Sequence, residues 1–222
     1  MFASCWSVKG GAGTTVVAAA LALVLARGDD RGAVLVDLAG DAPAVLGLPE
    51  PDSPGLAAWL AAGASVPNDG LSRIEVPVAD GLNLVPRGTG PLGPAERAEV
   101  LAGVLAADAR SVVVDAGTPS WRDGDVNPAA AVLASSATSS LLVTRSCYLS
   151  LRRVVAAPVR PSGIVLVAEP GRALGRRDVE QVSGVDVVAE VLFDPAVARA
   201  VDAGLLVGRL PRSLARALAH AA

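Results

Sequence analysis

Aromatic residues are scarce: two Phe, three Trp and one Tyr in 222 residues. The core must therefore be built from Ala, Val and Leu, which dominate the 52% hydrophobic content. Histidine occurs once and cysteine twice, at Cys5 and Cys147. That set cannot assemble a Cys/His zinc site, and a lone His all but excludes a Ser–His–Asp triad. The two cysteines are unclustered and sit in apolar surroundings, as small core residues of a reduced, cytoplasmic protein do. No apolar run approaches the roughly 20 residues that cross a bilayer; the longest is Val16 to Ala26. No basic segment precedes a cleavable apolar stretch, so no secretion signal is expected. The net charge of −3 provides no global field for nucleic acid. Lysine is nearly absent too: of 19 cationic residues, only Lys9 is not Arg.

That one lysine stands in the most distinctive stretch of the chain, "SVKGGAGTTV" at residues 7–16. An apolar run, Phe2–Val8, precedes it and reads as a buried strand; Thr14–Arg27 follows and reads as a helix. Further strands are expected at Ala33–Leu38, Ser72–Val78, Leu82–Pro86, Ser111–Asp115, Ser140–Arg145, Gly163–Ala168 and Val185–Leu192. Helices are expected near Ala42–Leu48, Gly55–Ala62, Pro94–Ala107, Pro128–Ser135, Leu149–Ala157, Arg176–Val182, Ala196–Ala203 and Ser213–Ala221. Near-continuous Val/Leu strands alternating with helices imply an α/β protein: a doubly wound, mostly parallel sheet with helices on both faces. No linker divides it, so residues 1–222 read as one domain. Ligands of such sheets bind beyond the carboxyl ends of the strands. The loops after Val8, Leu38, Asp115, Arg145 and Ala168 are therefore the ones to inspect. Asp123–Pro128 and Arg87–Pro94 are the loops expected to move.

A strand, a glycine-rich loop and a helix in that order form a phosphate cradle. The usual frame, G-x-x-x-x-G-K-[ST], falls here on Val8 to Thr15, with Val8 in place of the first Gly and Thr14 in place of the Lys. Backbone NH groups of Gly10, Gly11, Ala12, Gly13, Thr14 and Thr15 are still placed to surround a phosphate, and the small residues allow close approach. Thr15 and Asp115 have the oxygen chemistry to hold Mg²⁺, directly or through water. Asp37 and Asp115 end their strands at the ligand edge of the sheet; they read as site residues, with helix caps or turn residues as the alternative. The lost lysine matters: a unit charge pair at 4 Å is worth about 4 kcal/mol at an effective dielectric near 20.

"KGGAGTT" (9–15) resembles the deviant Walker loop of the ParA/MinD family, K-G-G-x-G-K-[ST], at every position but Thr14. "VLVDLAGDAPAVLGL" (34–48) is similar to the second strand and first switch of that family's CpaE/TadZ branch. "VVVDAGT" (112–118) resembles its Walker B strand and second switch, "LLVTRSCYLSLRRV" (141–154) its S-L-R segment, and "EVLFDPAVARAVDAG" (190–204) its segment near the base. Two further departures stand out. Ala39 replaces the second acid of the switch motif, while Asp37 remains. Ala168-Glu169-Pro170 stands where active relatives carry an adenine-reading Asn.

The resemblance implies a P-loop ATPase fold that takes ATP or ADP with Mg²⁺, weakly here. Lys9 would reach across a homodimer to the partner's phosphates or to an acid there, Asp115 or Asp123; Lys9 and Asp37 are the residues with a catalytic part to play. It implies a positioning or scaffolding protein for a Tad/Flp-type pilus, secretion or septum machine, working through dimerisation and recruited to a pole or inner membrane by protein partners. An active switch ATPase on DNA or membrane, and a nucleotide-free binding module, are the other readings. Nucleic acid would have to use Arg152 and Arg153, or Arg172, Arg176 and Arg177; a solvated helix face is the alternative. The final "SLARALAHAA" reads as a packed helix rather than a membrane anchor.

Overall fold

The structure, a computed structural model, describes residues 1–63, 69–119, 127–157 and 159–221. Among the described residues eight strands form one sheet: β1 (Phe2–Trp6), β2 (Ala33–Asp37), β3 (Val76–Ala79), β4 (Leu82–Val85), β5 (Ser111–Gly117), β6 (Ser139–Arg145), β7 (Gly163–Ala168) and β8 (Val187–Leu192). Their order across the sheet is β3-β4-β2-β5-β1-β6-β7-β8. Every pairing is parallel except β3 with β4. The doubly wound, mostly parallel sheet expected from the sequence is the architecture observed.

Period-two alternation along each strand sorts the side chains into two cores. Phe2, Trp6, Val36, Val114, Leu142 and Leu166 point to one face. Helices α3 (Gly55–Ala61), α4 (Ala95–Ala106), α5 (Pro128–Ser136), α6 (Tyr148–Val154) and α7 (Arg176–Ser183) cover that face. Ala3, Cys5, Leu35, Val113, Val143 and Val165 point to the other. It is covered by α1 (Thr14–Gly28), α2 (Ala42–Leu46) and α9 (Arg212–Leu218), with α8 (Pro195–Asp202) packed at the margin. Leu214 and Leu218 of α9 are buried, in keeping with a packed final helix. Trp6 is fully buried near the sheet's midline, and its indole NH donates to the Ser140 hydroxyl at 3.0 Å. Among the described residues, no helix is long and apolar enough to cross a membrane.

Several boundaries differ from the sequence reading by a residue or more, and three have a visible cause or consequence. β1 stops at Trp6 rather than Val8, because the Ser7 amide turns to donate to the Gly117 carbonyl at 2.8 Å and opens the glycine-rich loop. The strand expected at Ser72–Val78 starts only at Val76. Before it, Ser72–Ile74 form a single 3₁₀ turn, held by the Ser72 hydroxyl on the Asp69 carbonyl at 2.8 Å and by Arg73 on the Asp69 carboxylate. β5 runs two residues beyond Asp115, to Gly117.

One contact fixes the far side of the sheet edge. Gly55, at the start of α3, and Gly88, just after β4, both have φ near 67°, at +66° and +68°. A Cβ on Gly55 would lie 2.5 Å from the Gly88 backbone, and one on Gly88 would lie 2.3 Å from the Pro54 carbonyl oxygen. Only glycine serves at either place. Beside this contact the amides of Leu56 and Ala57 donate to the carbonyls of Pro86 and Arg87, at 2.8 and 2.9 Å. The first residues of the loop expected to move, Arg87–Pro94, are therefore pinned to α3. The other such loop, Asp123–Pro128, lies almost wholly outside the described residues. Gly88→Ala is expected to destabilise the fold by about 2 kcal/mol or more, through left-handed strain plus the backbone clash. Urea unfolding followed by circular dichroism measures it; a midpoint equal to the parent's would disprove the tight contact.

Candidate functional site

Residues 7–15 form a loop between β1 and α1. Gly11 and Gly13 adopt left-handed φ values of 76° and 91°, which bend the chain back so that α1 begins at Thr14. A Cβ built on Gly10, Gly11 or Gly13 would meet nothing within 4 Å. The concave side of the loop is open, as a cradle for a bound group requires. The Gly13 carbonyl accepts the first intrahelical bond, from Val17 at 3.0 Å, and no side chain caps the helix. The loop's base is tied down by Ser7. Its hydroxyl donates to the Lys9 carbonyl at 3.1 Å and lies 3.0 Å from the Thr118 hydroxyl, so the loop and the end of β5 are one rigid edge.

Above the loop lies a cavity of about 870 Å³. Its floor is Gly10–Val16; its walls include Leu38, Ala39 and Asp41 after β2, Ala116–Thr118 after β5, Arg87 after β4, and Asp202 of α8. Thr14 and Thr15 thus both line it, as expected for phosphate-loop residues. Lys9 does not: its Nζ folds back to donate to the Gly10 carbonyl at 3.0 Å on the exposed rim.

Two carboxylates lie behind the wall, both with no exposed surface. Asp37 accepts from the Gly40 amide at 2.7 Å and from the Ala42 amide at 3.0 Å. It shapes the turn after β2 and serves α2 as a cap would, so both its oxygens are already engaged. Burial raises its pKa, while the amide bonds from Gly40, Ala42 and Ala39 lower it; Asp41 adds to the rise. Asp115 accepts from the Gly117 amide at 3.1 Å through one oxygen. Its second oxygen has no hydrogen-bond partner among the described residues. Burial pushes its pKa up to about 7; the Thr15 hydroxyl and Gly117 amide oppose this, and the charge of Asp37 adds to it. A buried carboxylate oxygen with only the Thr15 hydroxyl near it, under an open glycine cradle, suits a cation–phosphate pair: Thr15 would face the Mg²⁺ and Asp115 would act from behind it.

That depth corrects one expectation. Asp115 is sealed beneath the cavity and cannot meet a lysine arriving from another subunit. Asp123, the other acid considered for that contact, lies outside the described residues. The loop after β7 also departs from the site: Glu169 accepts from Arg172 at 2.7 Å and lines a separate recess of about 250 Å³. Of the arginines considered for nucleic acid, Arg172 and Arg176 bind Glu169 and Glu180, and Arg153 donates to the Val8 carbonyl at 3.4 Å. Sequence reasoning missed Arg87, Asp41 and Asp202. Arg87 reaches the ligand edge because β4 pairs parallel with β2, a pairing that no local signal in the sequence announces.

The raised pKa of Asp115 has a stability consequence with a definite sign. Between its ordinary 3.8 and about 7, the native state binds a proton that the unfolded chain has released. Stability from this group is fully present below that window and is lost as pH rises through it. Asp115→Asn, with no charge to bury, is expected to raise Tm at pH 8 by about 5 °C or more, and by less at pH 5. Thermal melts of both proteins without divalent cations decide it; an equal shift at the two pH values would refute the buried charge.

No protein-family model matches the sequence, and no curated protein matches it. Solved structures do match the fold. A ParA family ATPase from Chlorobium tepidum TLS gives a TM-score of 0.76 at 18% identity, over 98% of this chain and 95% of its own. The septum site-determining protein MinD from Pyrococcus horikoshii OT3, solved with Mg-ADP, gives 0.75 at 19% identity over 99% and 94%. A MinC:MinD cell division protein complex from Aquifex aeolicus gives 0.76 at 16% identity over 100% and 94%. Identities this low carry the architecture alone: the chain has the P-loop fold of the ParA- and MinD-type ATPases.

Proposed function

We propose that this chain is a ParA/MinD-type positioning or scaffolding protein whose nucleotide site is weakened, and that it acts by dimerising and recruiting protein partners rather than by rapid ATP turnover. The observation that carries this reading is the loop itself. Gly11 and Gly13 turn the loop through left-handed φ values beneath an open cavity, which supports a phosphate cradle, while Thr14 stands where the resembling motif has its lysine. The solved MinD structure with Mg-ADP supports a nucleotide as the ligand class, and the MinC:MinD complex supports a protein partner. The partner suggested by the CpaE/TadZ-like motifs is a Tad/Flp-type pilus, secretion or division machine, with this chain as a homodimer brought to a pole or inner membrane by it.

The chain's own residues account for weak binding and weaker chemistry. Amides of Gly10 to Thr15 and the dipole of the 15-residue helix α1 attract phosphate. Thr15, backed by Asp115, would hold Mg²⁺, which when bound neutralises charge on the phosphates. Phosphoryl transfer rests almost wholly on charge stabilisation and positioning. With Thr14 and Ala39 uncharged, and Asp37 occupied by two backbone amides, that stabilisation is thin.

ATP hydrolysis is therefore expected at background in a steady-state phosphate-release assay, while Mg-ATP still binds. Thr14→Lys is expected to tighten Mg-ATP about tenfold or more, the order of one charge-assisted phosphate contact. Calorimetry measures this, and no gain would mean the loop does not cradle phosphate. Turnover at the level of an ordinary switch ATPase, abolished by Lys9→Ala, would select an active switch instead.

Lys9, on the exposed rim, is free to leave the Gly10 carbonyl for a second subunit. Lys9→Glu is expected to shift the dimerisation constant more than Lys9→Ala does, with Mg-ATP present. Sedimentation equilibrium with and without Mg-ATP reads both; constants matching the parent's in both conditions would leave Lys9 a solvated loop residue.

A further inference from the structure

The cavity above the glycine-rich loop is short of positive charge. Its charged wall residues are Asp41, Asp202 and Arg87, with Asp37 and Asp115 buried behind. Arg87 is thus the sole cation on the wall among the described residues. Its placement is well determined. The main chain of residues 86–88 is held to α3 by the Leu56 and Ala57 amides and by the Gly55–Gly88 contact. The side chain then lies along Gly40, where an added Cβ would come within 3.3 Å of Arg87 Cδ. Nε donates to the Leu38 carbonyl at 3.2 Å and Nη1 to the Gly88 carbonyl at 3.2 Å.

What the guanidinium lacks is an acidic partner. Arg87 makes no ion pair among the described residues, and its Nη2 makes no hydrogen bond there, unlike Arg31, Arg73, Arg110, Arg172 and Arg176. Ala39, beside it on the wall, carries no charge; Asp37, Asp41 and Glu50 share a recess of about 300 Å³ with Arg87, and none of them forms an ion pair with it among the described residues. A half-buried arginine with an idle edge on a cavity wall is arranged for an anion that arrives from outside.

The sheet order indicates which part of a ligand reaches it. The loop follows β1 at mid-sheet. On its β6–β8 side, Gly13 and Val16 also line an apolar recess of about 260 Å³ with Val191, Phe193 and Val197. Arg87 comes from the opposite side, beyond β2. A nucleotide lying across the loop would place its base toward the apolar recess and its outermost phosphate toward Arg87.

We propose that Arg87 is the phosphate-recognition cation of this site: it binds the terminal phosphate of a Mg-nucleoside triphosphate from the wall facing the loop, and so supplies the charge that Thr14 does not. This rests on the nucleotide reading above. The residue sets preference for triphosphate over diphosphate, because a diphosphate ends short of it.

The test compares Mg-ATP and Mg-ADP affinities by calorimetry for the full chain and for Arg87→Gln and Ala39→Asp, with circular dichroism melts of each. The parent is expected to favour Mg-ATP. Arg87→Gln is expected to lose about tenfold or more in Mg-ATP affinity, the order of a charged hydrogen bond, with Mg-ADP changed less than about threefold. Ala39→Asp keeps Arg87 but offers it a carboxylate, and is expected to lower Mg-ATP affinity selectively in the same direction. It answers the question even if Arg87→Gln fails to fold. Equal losses for the two nucleotides in either variant would overturn the proposal and leave Arg87 a brace for the loop after β2, with the nucleotide reading intact. A parent that binds neither nucleotide would overturn both.

Discussion

Helix α1 is enclosed between the sheet and helices α2 and α9, with Ala18, Ala19, Ala20 and Ala22 all without exposed surface, and that close seating determines where the loop in front of it can be. Larger side chains would lift the helix, and the loop would have to lengthen or unwind to reach it. With alanines the helix starts directly over the end of β1, and two left-handed glycines make the turn. The scarcity of aromatic residues thus has a structural counterpart: a core of small side chains brings the helix dipole and the loop amides close to the carboxyl edge of the sheet. The carboxylates at the ends of β2 and β5 then fall behind the loop rather than beside it.

That arrangement concentrates negative charge. Asp37 and Asp115 are buried within one layer of the cavity, and Asp41 raises the pKa of each. A site of this kind repels a bare phosphate chain and accepts one only with cations in attendance. On the proposed reading, the loop amides, the α1 dipole, a Mg²⁺ at Thr15 and the guanidinium on the wall would each offset part of the repulsion. On that same reading Thr14 would remove one cation from this balance and Ala39 one anion, so the two departures from the motif would partly compensate in charge.

Much of the architecture was legible because its signals are local. Val/Leu runs at regular spacing mark buried parallel strands, and a glycine-rich segment between a strand and an alanine-rich helix marks the loop. Thr14, Thr15 and the backbone of Gly10–Gly13 fell where the frame put them. The rest depended on pairings far apart in sequence. Asp80-Gly81 reads as a hairpin turn, and β3 and β4 do pair antiparallel across it. Nothing local reveals that β4 also pairs parallel with β2, and that second pairing is what carries Arg87 to the ligand edge. Likewise, strand-end position brought Asp37 and Asp115 to notice, but only the tertiary structure shows them sealed from the cavity, one fully bonded and the other half bonded.

The paired glycines at 55 and 88 also make the site a lever. Because the amides opening α3 hold the carbonyls of Pro86 and Arg87, the helix and the arginine move as one piece or separate only by breaking two hydrogen bonds. Whatever fixes the guanidinium therefore steadies α3, and whatever draws α3 from the sheet withdraws the guanidinium, by the same free energy in either direction. A seven-residue helix and one wall of the cavity thus share a single seam of two backbone hydrogen bonds and one glycine contact.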